Sequence, residues 1–472
     1  MKAQLVGFGI GSSGQPQTTA RAALNYYFEP RPPGEKSTHV VKPYPGLSEH
    51  ATINGGTGAM RCIHTMGTVA FIVCANKLIE VDSSGTATTR GTLASSGGRV
   101  EAADNGATMI LVDGTKVYTY VQATATFTTL GGGTCNDGAC SATWLGGYFV
   151  VGSTAGGAPA RVYISADGST WSSTDYASAE SNPDALVAVR AVGNNLVVVG
   201  EFSTEFWTQT GAADYPFQPV VGSTLPYGSP AIEGTAVVRI GQSVYMIGQS
   251  RGTTAPFMLR IRGYQAERIS NPDFERVLRG YALSSSRAFA FELDGHEFYQ
   301  ITFVSASATW VYDALTGIWT KLDQFGAGAT HFCGFGLMVP YAGGLAANTI
   351  LGLANDSATG KVYKYRPDLM TEDGSAAKRE LILDHVAMPD LDKFTLDEVR
   401  MDVSGSTAFT HAMSVSRNGG YSWGSAMASR GDSTNSPLRW ARLGTARQFT
   451  LKFSQTVASL HTINNIILNP KN

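Results

Sequence analysis

One supersecondary unit recurs seven times along this sequence and limits the folds that the chain can adopt. In each copy a short apolar run is followed by a tight turn and then by a second extended run that usually carries an aromatic residue. The seven pairs are 69–74 with 77–81, 109–112 with 116–121, 148–151 with 161–165, 196–199 with 202–207, 244–247 with 257–261, 298–304 with 309–313, and 349–353 with 361–365. Their turns lie roughly 38 to 54 residues apart, which is the spacing of β-propeller blades.

Each of these intervals has room for four short strands, and none contains a convincing crossover helix. Such units bury their faces only when neighbours stack against them, as the blades of a propeller do. We therefore predict an all-β chain built around a β-propeller of about seven blades. A pair of β-sandwiches would also give short strands and frequent turns, but the regular period favours the propeller.

Composition agrees with strands and turns and argues against tight binding of polyanions. The 472 residues include 54 glycines and only 15% charged residues, and Thr, Ser, Val and Tyr recur throughout. Lys plus Arg number 35 and Asp plus Glu number 37, which gives a formal net charge of −2. This balance provides no strong field that would hold DNA or an anionic membrane.

The sequence shows no convincing catalytic, metal-binding or cofactor-binding motif. Five cysteines form an odd, widely spaced set, which favours reduced thiols over a disulfide framework. Cys135 and Cys140 flank a turn, but no further ligands stand nearby at metal-binding spacing. Residues 9–14 match a dinucleotide-binding pattern by letters, but Pro16 follows at once and no strand–helix repeat appears. We predict no cofactor, no metal site, no catalytic residue and no membrane-spanning segment.

Three regions of the chain differ in character. Residues 1–50 place aromatic residues in proline-rich segments, which suit neither a helix interior nor a central strand, and so predict an extended arm. Residues 51–370 carry the hairpin period and predict the propeller. Residues 378–472 alternate without that period and predict a β-sandwich-like domain. One short helix is expected after Asn271 and Pro272, which suit an N-cap and a first helical position.

Three turns combine a short polar side chain with a tryptophan. The turns at 165–171 and 416–423 resemble the Asp-box turn, and the one at 311–319 resembles a kelch-type hairpin. In each, the polar side chain can bond the backbone of the turn while the indole packs between strands. We predict that six residues anchor these hairpins: Asp167, Trp171, Asp313, Trp319, Asn418 and Trp423.

The Asp-box-like turns raise an alternative function, a carbohydrate-binding or glycan-hydrolysing propeller of the sialidase type. Sialidases carry a Phe/Tyr-Arg-Ile-Pro segment near their start, which this sequence lacks, and the two turns here are imperfect copies. Glycoside hydrolysis needs two carboxylates facing each other in a cleft. A propeller that serves as a scaffold for cellular partners is a third option.

The order of several segments resembles the tail nozzle family of short-tailed bacteriophages (podoviruses), also called packaged-DNA stabilisation proteins. The segments are NYYF at 25–28, PYPG at 43–46, STEFW at 203–207, GYQAERI at 263–269, FERVLRGY at 274–281, HE at 296–297, WVYD at 310–313, SRNGGYSW at 416–423 and RWARLG at 439–444. Each segment is short, so the resemblance depends on their order over nearly the whole chain. The sequence departs from the family in its glycine-rich first 20 residues and in the turn at 131–140.

This resemblance implies a structural virion protein without enzymatic activity. It implies a homohexameric ring below the head–tail adaptor that extends the DNA channel, helps to retain packaged DNA and guides its ejection. The expected partners are the adaptor, tail fibres or tailspikes, a tail needle or plug, and viral DNA passing transiently through the lumen. The expected location is the virion tail, after assembly in the host cytoplasm. Four aromatic residues of the arm are expected to contact the adaptor or a neighbouring subunit: Tyr26, Tyr27, Phe28 and Tyr44.

Overall fold

The described part of the chain is almost entirely β-structure. The computed structural model describes residues 22–34, 37–130, 138–154, 160–172, 174–182, 184–212, 215–230, 236–284, 286–323, 337–339, 349–353, 360–387, 392–405, 411–429, 437–455 and 461–471. Within these ranges there are 42 strands, one α-helix and three short 3₁₀ turns, at Asn54–Gly56, Gln122–Thr124 and Val304–Ala306. The predicted all-β class is confirmed.

Four strands precede the first blade. They are β1 (Ala22–Leu24), β2 (Tyr26–Pro30), β3 (His39–Pro43) and β4 (Gly46–Thr52). Instead of forming one extended arm, they divide between two bodies: β4 joins the propeller, whereas β1 to β3 join the C-terminal strands.

Five four-stranded antiparallel sheets follow in sequence, each with its strands in chain order. Blade 1 is β5 (Met60–Met66), β6 (Val69–Cys74), β7 (Lys77–Val81) and β8 (Ala87–Thr92). Blade 2 is β9 (Glu101–Asp104), β10 (Thr108–Val112), β11 (Val117–Val121) and β12 (Thr126–Thr129). Blade 3 is β13 (Ala139–Leu145), β14 (Tyr148–Ser153), β15 (Ala160–Ser165) and β16 (Tyr176–Ala179).

The remaining blades continue this pattern. Blade 4 is β17 (Leu186–Val192), β18 (Asn195–Gly200), β19 (Thr204–Gln209) and β20 (Phe217–Pro219). Blade 5 is β21 (Val238–Ile240), β22 (Ser243–Ser250), β23 (Thr253–Arg262) and β24 (Gln265–Arg268). Blade 6 is β25 (Arg287–Leu293), β26 (His296–Phe303), β27 (Ala308–Asp313) and β28 (Ile318–Leu322). Blade 7 contains β29 (Leu337–Val339), β30 (Thr349–Leu353) and β31 (Lys361–Arg366).

The predicted hairpins correspond to the second and third strands of the seven blades, so the propeller is confirmed. These strands are the most apolar of each blade because neighbouring blades cover both of their faces. Between blades 5 and 6 lies helix α1 (Pro272–Leu278), where the Asn271 side chain accepts a hydrogen bond from the Phe274 N–H at 2.9 Å. The predicted helix and its cap are therefore confirmed.

Strand β4 closes the propeller as the fourth strand of blade 7. It runs antiparallel to β31, with Leu47 opposite Tyr365 and Thr52 opposite Lys361. The seventh blade is thus built from segments at opposite ends of the propeller sequence, and backbone hydrogen bonds take the place of a covalent connection in the ring.

The C-terminal part of the chain contributes eleven described strands, of which the first two extend blade 7 and the other nine form two sheets together with β1 to β3. They are β32 (Thr371–Glu372), β33 (Ser375–Ala376), β34 (Arg379–Ile382), β35 (Val386–Ala387), β36 (Phe394–Gly405), β37 (Ala412–Ser416), β38 (Met427–Ala428), β39 (Leu438–Ala441), β40 (Thr445–Ala446), β41 (Gln448–Gln455) and β42 (His461–Lys471). One sheet of this sandwich has the order β1-β34-β41-β37-β38, and the other has the order β2-β3-β42-β36-β39. A single apolar core lies between them.

The sandwich and the propeller are continuous at two places. Strand β1 pairs in parallel with β28, with Leu24 opposite Lys321, so one sheet of the sandwich extends blade 6. Strand β32 pairs in parallel with β4, with Glu372 opposite Leu47, and extends blade 7. The two bodies therefore share sheets instead of being joined only by a linker.

Candidate functional site

The aromatic residues of the N-terminal segment lie in the interior of the molecule. Tyr26, Tyr27, Phe28 and Tyr44 are each 1–2% exposed. Successive side chains of β2 alternate between two cores: Tyr26 and Phe28 enter the sandwich, whereas Tyr27 enters the core between blades 6 and 7. Both faces of β2 are therefore covered by the chain's own residues.

Specific contacts hold these aromatic side chains in place. The Tyr27 hydroxyl donates to Asp294 Oδ2 at 2.8 Å, and its ring lies 5.2 Å from that of Tyr44. The Tyr44 hydroxyl is 3.0 Å from Thr320 Oγ1, and its ring packs edge-on against Phe298. To contact an adaptor or a neighbouring subunit, as expected, these four side chains would have to leave the two cores in which they are buried. In this structure they join the propeller to the sandwich.

In the turn of blade 3, the side chains of Asp167 and Trp171 form hydrogen bonds with the backbone of the turn. Asp167 Oδ1 accepts the backbone N–H groups of Ser169 at 2.8 Å and Thr170 at 2.7 Å. The Trp171 indole donates to the Gly168 carbonyl at 2.8 Å and packs on the core between blades 2 and 3. Burial raises the pKa of Asp167, but the hydrogen bonds from Thr170 and Ser169 outweigh it and hold the pKa well below its usual range, so the carboxylate stays ionised in the turn.

The anchors of the blade 6 hairpin, Asp313 and Trp319, also contact residues outside their own turn. Asp313 accepts the Leu315 N–H at 2.9 Å, and its other oxygen lies 2.8 Å from His296 Nδ1. Trp319 donates to the Ile269 carbonyl at 2.9 Å, and its ring lies 4.6 Å from that of Phe274. Trp319 thus attaches helix α1 to the blade.

The turn in the sandwich has a polar cap and a more exposed tryptophan. Asn418 Oδ1 accepts the Ser422 N–H at 3.0 Å, and the half-buried Trp423 ring lies under the Lys452 ammonium, 5.0 Å away. The six predicted anchors therefore lie in turns or in the strands beside them, and none of them lines the cavity at the propeller axis.

The propeller axis contains a charged cluster that the sequence analysis did not identify. A cavity of about 520 Å³ is lined by the innermost strands of blades 1 to 6. Beside it, Glu101 forms ion pairs with Arg190, at 2.6 Å, and with Arg99. The same carboxylate accepts the Ser141 hydroxyl at 2.7 Å and the Ala142 N–H at 3.1 Å. A charge within an apolar inner strand, such as Arg190 in LVAVRAV, was the available signal.

This cluster connects four blades. Arg190 Nε donates to the Val237 carbonyl at 2.8 Å, and Arg99 Nη1 donates to the Val187 carbonyl at 3.0 Å. Burial alone would raise the pKa of Glu101, but the guanidinium groups of Arg190 and Arg99 lower it to about 2. A carboxylate with this pKa is ionised at neutral pH and is unsuited to proton donation. Glu101 and its partners therefore form a structural ion cluster.

Thiols and metal-ligand groups give no further site among the described residues. Cys62, Cys74 and Cys140 are free thiols, and burial raises the pKa of Cys62 to about 12. No group of three or more His, Cys, Asp or Glu side chains suited to a metal ion occurs in the described ranges. Cys135 and the glycine pattern at 9–14 lie outside those ranges. Nor is any helix in the described chain both long and apolar enough to cross a membrane.

Comparisons with known proteins give one family model and several similar solved structures. A protein-family model described as bacteriophage P22 Gp10, β-propeller, matches residues 5–342. No curated protein sequence matches the chain significantly. Similar solved structures include YCF48 from Cyanidioschyzon merolae, with 10% identity, 68% of this chain and 99% of YCF48 covered, and a TM-score of 0.41. The Neurospora crassa Pan2 WD40 domain has 9% identity, 68% and 96% coverage and a TM-score of 0.46. The designed protein Ika8 has 10% identity, 68% and 100% coverage and a TM-score of 0.39.

Proposed function

Because the chain belongs to the family of the bacteriophage P22 Gp10 β-propeller, whose model matches residues 5–342, we propose that it forms the tail nozzle of a short-tailed phage. In this role it extends the DNA channel below the head–tail adaptor, helps to retain packaged DNA and guides its ejection. The family match is the observation that carries the proposal. The protein acts as a structural part of the virion tail and not as an enzyme.

The construction of the chain supports a role under mechanical load. The ring of blades is closed by β4, and shared sheets fasten the propeller to the sandwich. Buried charges connect the inner strands of blades 2 to 5. A component through which DNA is driven benefits from such stiffness, and a net charge of −2 lets DNA slide instead of adhering.

A closed homohexamer is the proposed assembly, since one heterologous contact repeated six times makes a ring. Its contacts must come from surfaces other than the buried aromatic side chains of β2. Among the described residues, the large apolar side chains most open to such contacts are on exposed turns: Val221, Tyr264, Leu315 and Tyr421. The adaptor, tail fibres or tailspikes, and a needle or plug are the further proposed partners.

The axial carboxylate argues against the glycan-hydrolysing alternative. Glu101 already accepts bonds from two arginines, a hydroxyl and a backbone N–H. It lacks both the raised pKa of a general acid and the freedom of a nucleophile.

Electron microscopy of the purified chain, alone and mixed with the portal–adaptor complex of its phage, tests the proposal. We expect six-fold rings that bind the distal end of the adaptor and continue its channel. A portal complex without adaptor is the matched control and should recruit no ring. A chain that stays monomeric and does not bind the adaptor, or one that hydrolyses bacterial surface polysaccharide, would contradict the proposal.

A further inference from the structure

The axial cavity has an excess of positive charge in its walls. Three arginines, Arg99, Arg190 and Arg239, lie in or beside it against two carboxylates, Glu101 and Asp104. The Asp104 carboxylate lies 2.6 Å from His64 Nε2, which is its partner at the axis. Among the described residues at the axis, arginines therefore outnumber carboxylates by one.

Arg239 is the arginine whose charge is not neutralised. Glu101 and backbone carbonyls occupy Arg190 and Arg99. Arg239, by contrast, uses only its Nε, which donates to the Gly241 carbonyl at 3.0 Å. No carboxylate among the described residues comes within ion-pair distance of it, and the side chain is exposed to the cavity that it lines. Its two terminal nitrogens therefore remain as a fork of donors, the geometry that binds a carboxylate through two parallel hydrogen bonds.

Most of the remaining lining is apolar. Val238 lies beside Arg239 on β21, and Ala191 and Phe289 come from the inner strands of blades 4 and 6. A volume of about 520 Å³ falls within the range of pockets that hold small organic molecules. One uncompensated cation beside apolar walls suits a singly charged anion that carries a hydrocarbon body.

We propose that the propeller axis is a binding site for a small organic carboxylate. The carboxylate is held by the Arg239 fork, and its apolar body lies against the strand faces of blades 4 to 6. The buried Glu101 cluster keeps the neighbouring arginines engaged, so that Arg239 is the group that recognises the ligand.

Calorimetric titration with benzoate tests this site, and benzamide is the neutral probe of the same shape. We expect benzoate to bind saturably and at least about tenfold more tightly than benzamide, as a charge-assisted bidentate contact implies. Arg239→Gln should weaken benzoate binding by about tenfold or more. Arg239 is exposed, so this variant should keep the melting temperature of the parent chain.

Arg251→Gln is the matched control, since Arg251 is an exposed arginine of the same blade that lies outside the cavity. It should leave the affinity for benzoate unchanged. Absence of saturable binding, equal affinity for benzamide, or the same loss in both variants would overturn the proposal. Ring assembly is measured separately by electron microscopy, so the absence of benzoate binding would not bear on the proposed tail-nozzle function.

Discussion

Two largely buried charged side chains of this molecule, Arg61 and Glu101, are each held by several partners. Arg61, only 2% exposed, donates to the carbonyls of Ala75, Ser95, Gly97 and Gly98 and to the Ser95 hydroxyl. Glu101 is held in a similar way at the axis. Since a buried ion without partners is costly, each such residue is tied to the geometry of the loops and strands around it.

Glu101→Ala should therefore destabilise the chain strongly. The change leaves Arg99 and Arg190 partly buried without their shared counter-ion, and breaking such a pair costs about 3–5 kcal/mol. Urea unfolding followed by tryptophan fluorescence measures the loss. Asp368→Ala is the control, because Asp368 pairs with Arg366 while its side chain is 60% exposed, and it should cost less than about 1 kcal/mol. Equal effects of the two changes would show that the axial cluster is not structural.

A second residue-scale prediction concerns two histidines inside the sandwich. His411 and His461 are 1% and 3% exposed, and their Nε2 atoms are in hydrogen-bond contact at 2.5 Å. Burial first, and then the charges of His461 and Arg379, lower the pKa of His411 to about 3. Burial, and then the charge of Arg379, lowers the pKa of His461 to about 4. Both values lie below the 6.5 of an ordinary imidazole, so the unfolded chain takes up more protons than the folded chain as pH falls below about 6.5.

The stability contributed by this pair should be fully present above about pH 6.5 and lost as the pH falls toward 4. At pH 4 we expect a loss of at least about 3 kcal/mol relative to neutral pH. Unfolding free energies measured between pH 7 and pH 4 test this. A double variant, H411Q with H461Q, should lose stability less steeply over the same interval, whereas parallel pH curves would contradict the assignment.

At the scale of elements, hairpins within a blade could be predicted from the sequence, but the closure of the ring could not. The strands of a hairpin such as β6 and β7 are neighbours in the chain, so apolar runs and turn residues indicate their pairing. The pairing of β4 with β31 joins residues more than 300 positions apart, and no local pattern encodes it. Prolines made residues 1–50 look like an arm, yet Pro30 and Pro43 occupy the end positions of an antiparallel hairpin, where strands tolerate proline.

The turn at Asp167 and the axial cluster differ for the same reason. The partners of Asp167 are two and three residues away, so its contacts follow from the sequence of the turn. Glu101 meets Ser141 and Arg190, which lie 40 and 89 residues further along. Only the stacking of blades brings them together, and spacing in the sequence therefore gave no indication of the cluster.

At Gly46, the first residue of β4, there is no room for a side chain. A Cβ atom at this position would lie under 3.0 Å from the carbonyl oxygens of Thr371 and Leu369, which are backbone atoms that cannot simply rotate away. Gly46→Ala should therefore destabilise the chain by about 1–3 kcal/mol, measured by urea unfolding. Gly252→Ala is the control, because a Cβ there meets nothing within 4 Å, and it should be nearly neutral. Comparable losses would mean that β4 has room to shift.

At the scale of the whole molecule, the propeller and the sandwich should behave as one cooperative unit. They share sheets through β1 and β28, and β2 contributes side chains to both cores. Domains joined only by a linker unfold separately, whereas a shared core couples them.

Scanning calorimetry should accordingly show a single transition for the parent chain. Tyr27→Ala removes a buried ring from the core between blades 6 and 7 and should separate the transition into two. Phe28→Ala removes a ring of similar size from the sandwich core alone, and should lower the transition temperature without splitting it. Two transitions in the parent chain, or splitting by both variants, would contradict the coupling.

The pairing of Val41 on β3 with Ile463 on β42 has a consequence for how the protein is made. Roughly 420 residues separate these two strands, and at about 5–20 residues per second a ribosome needs on the order of 20 to 80 s to produce them. Throughout that interval the nascent β3 has an open edge and apolar side chains without their final cover, which is a state prone to misassembly. The yield of folded protein from the host should therefore depend on chaperones that bind the first strands until the last strand has been synthesised.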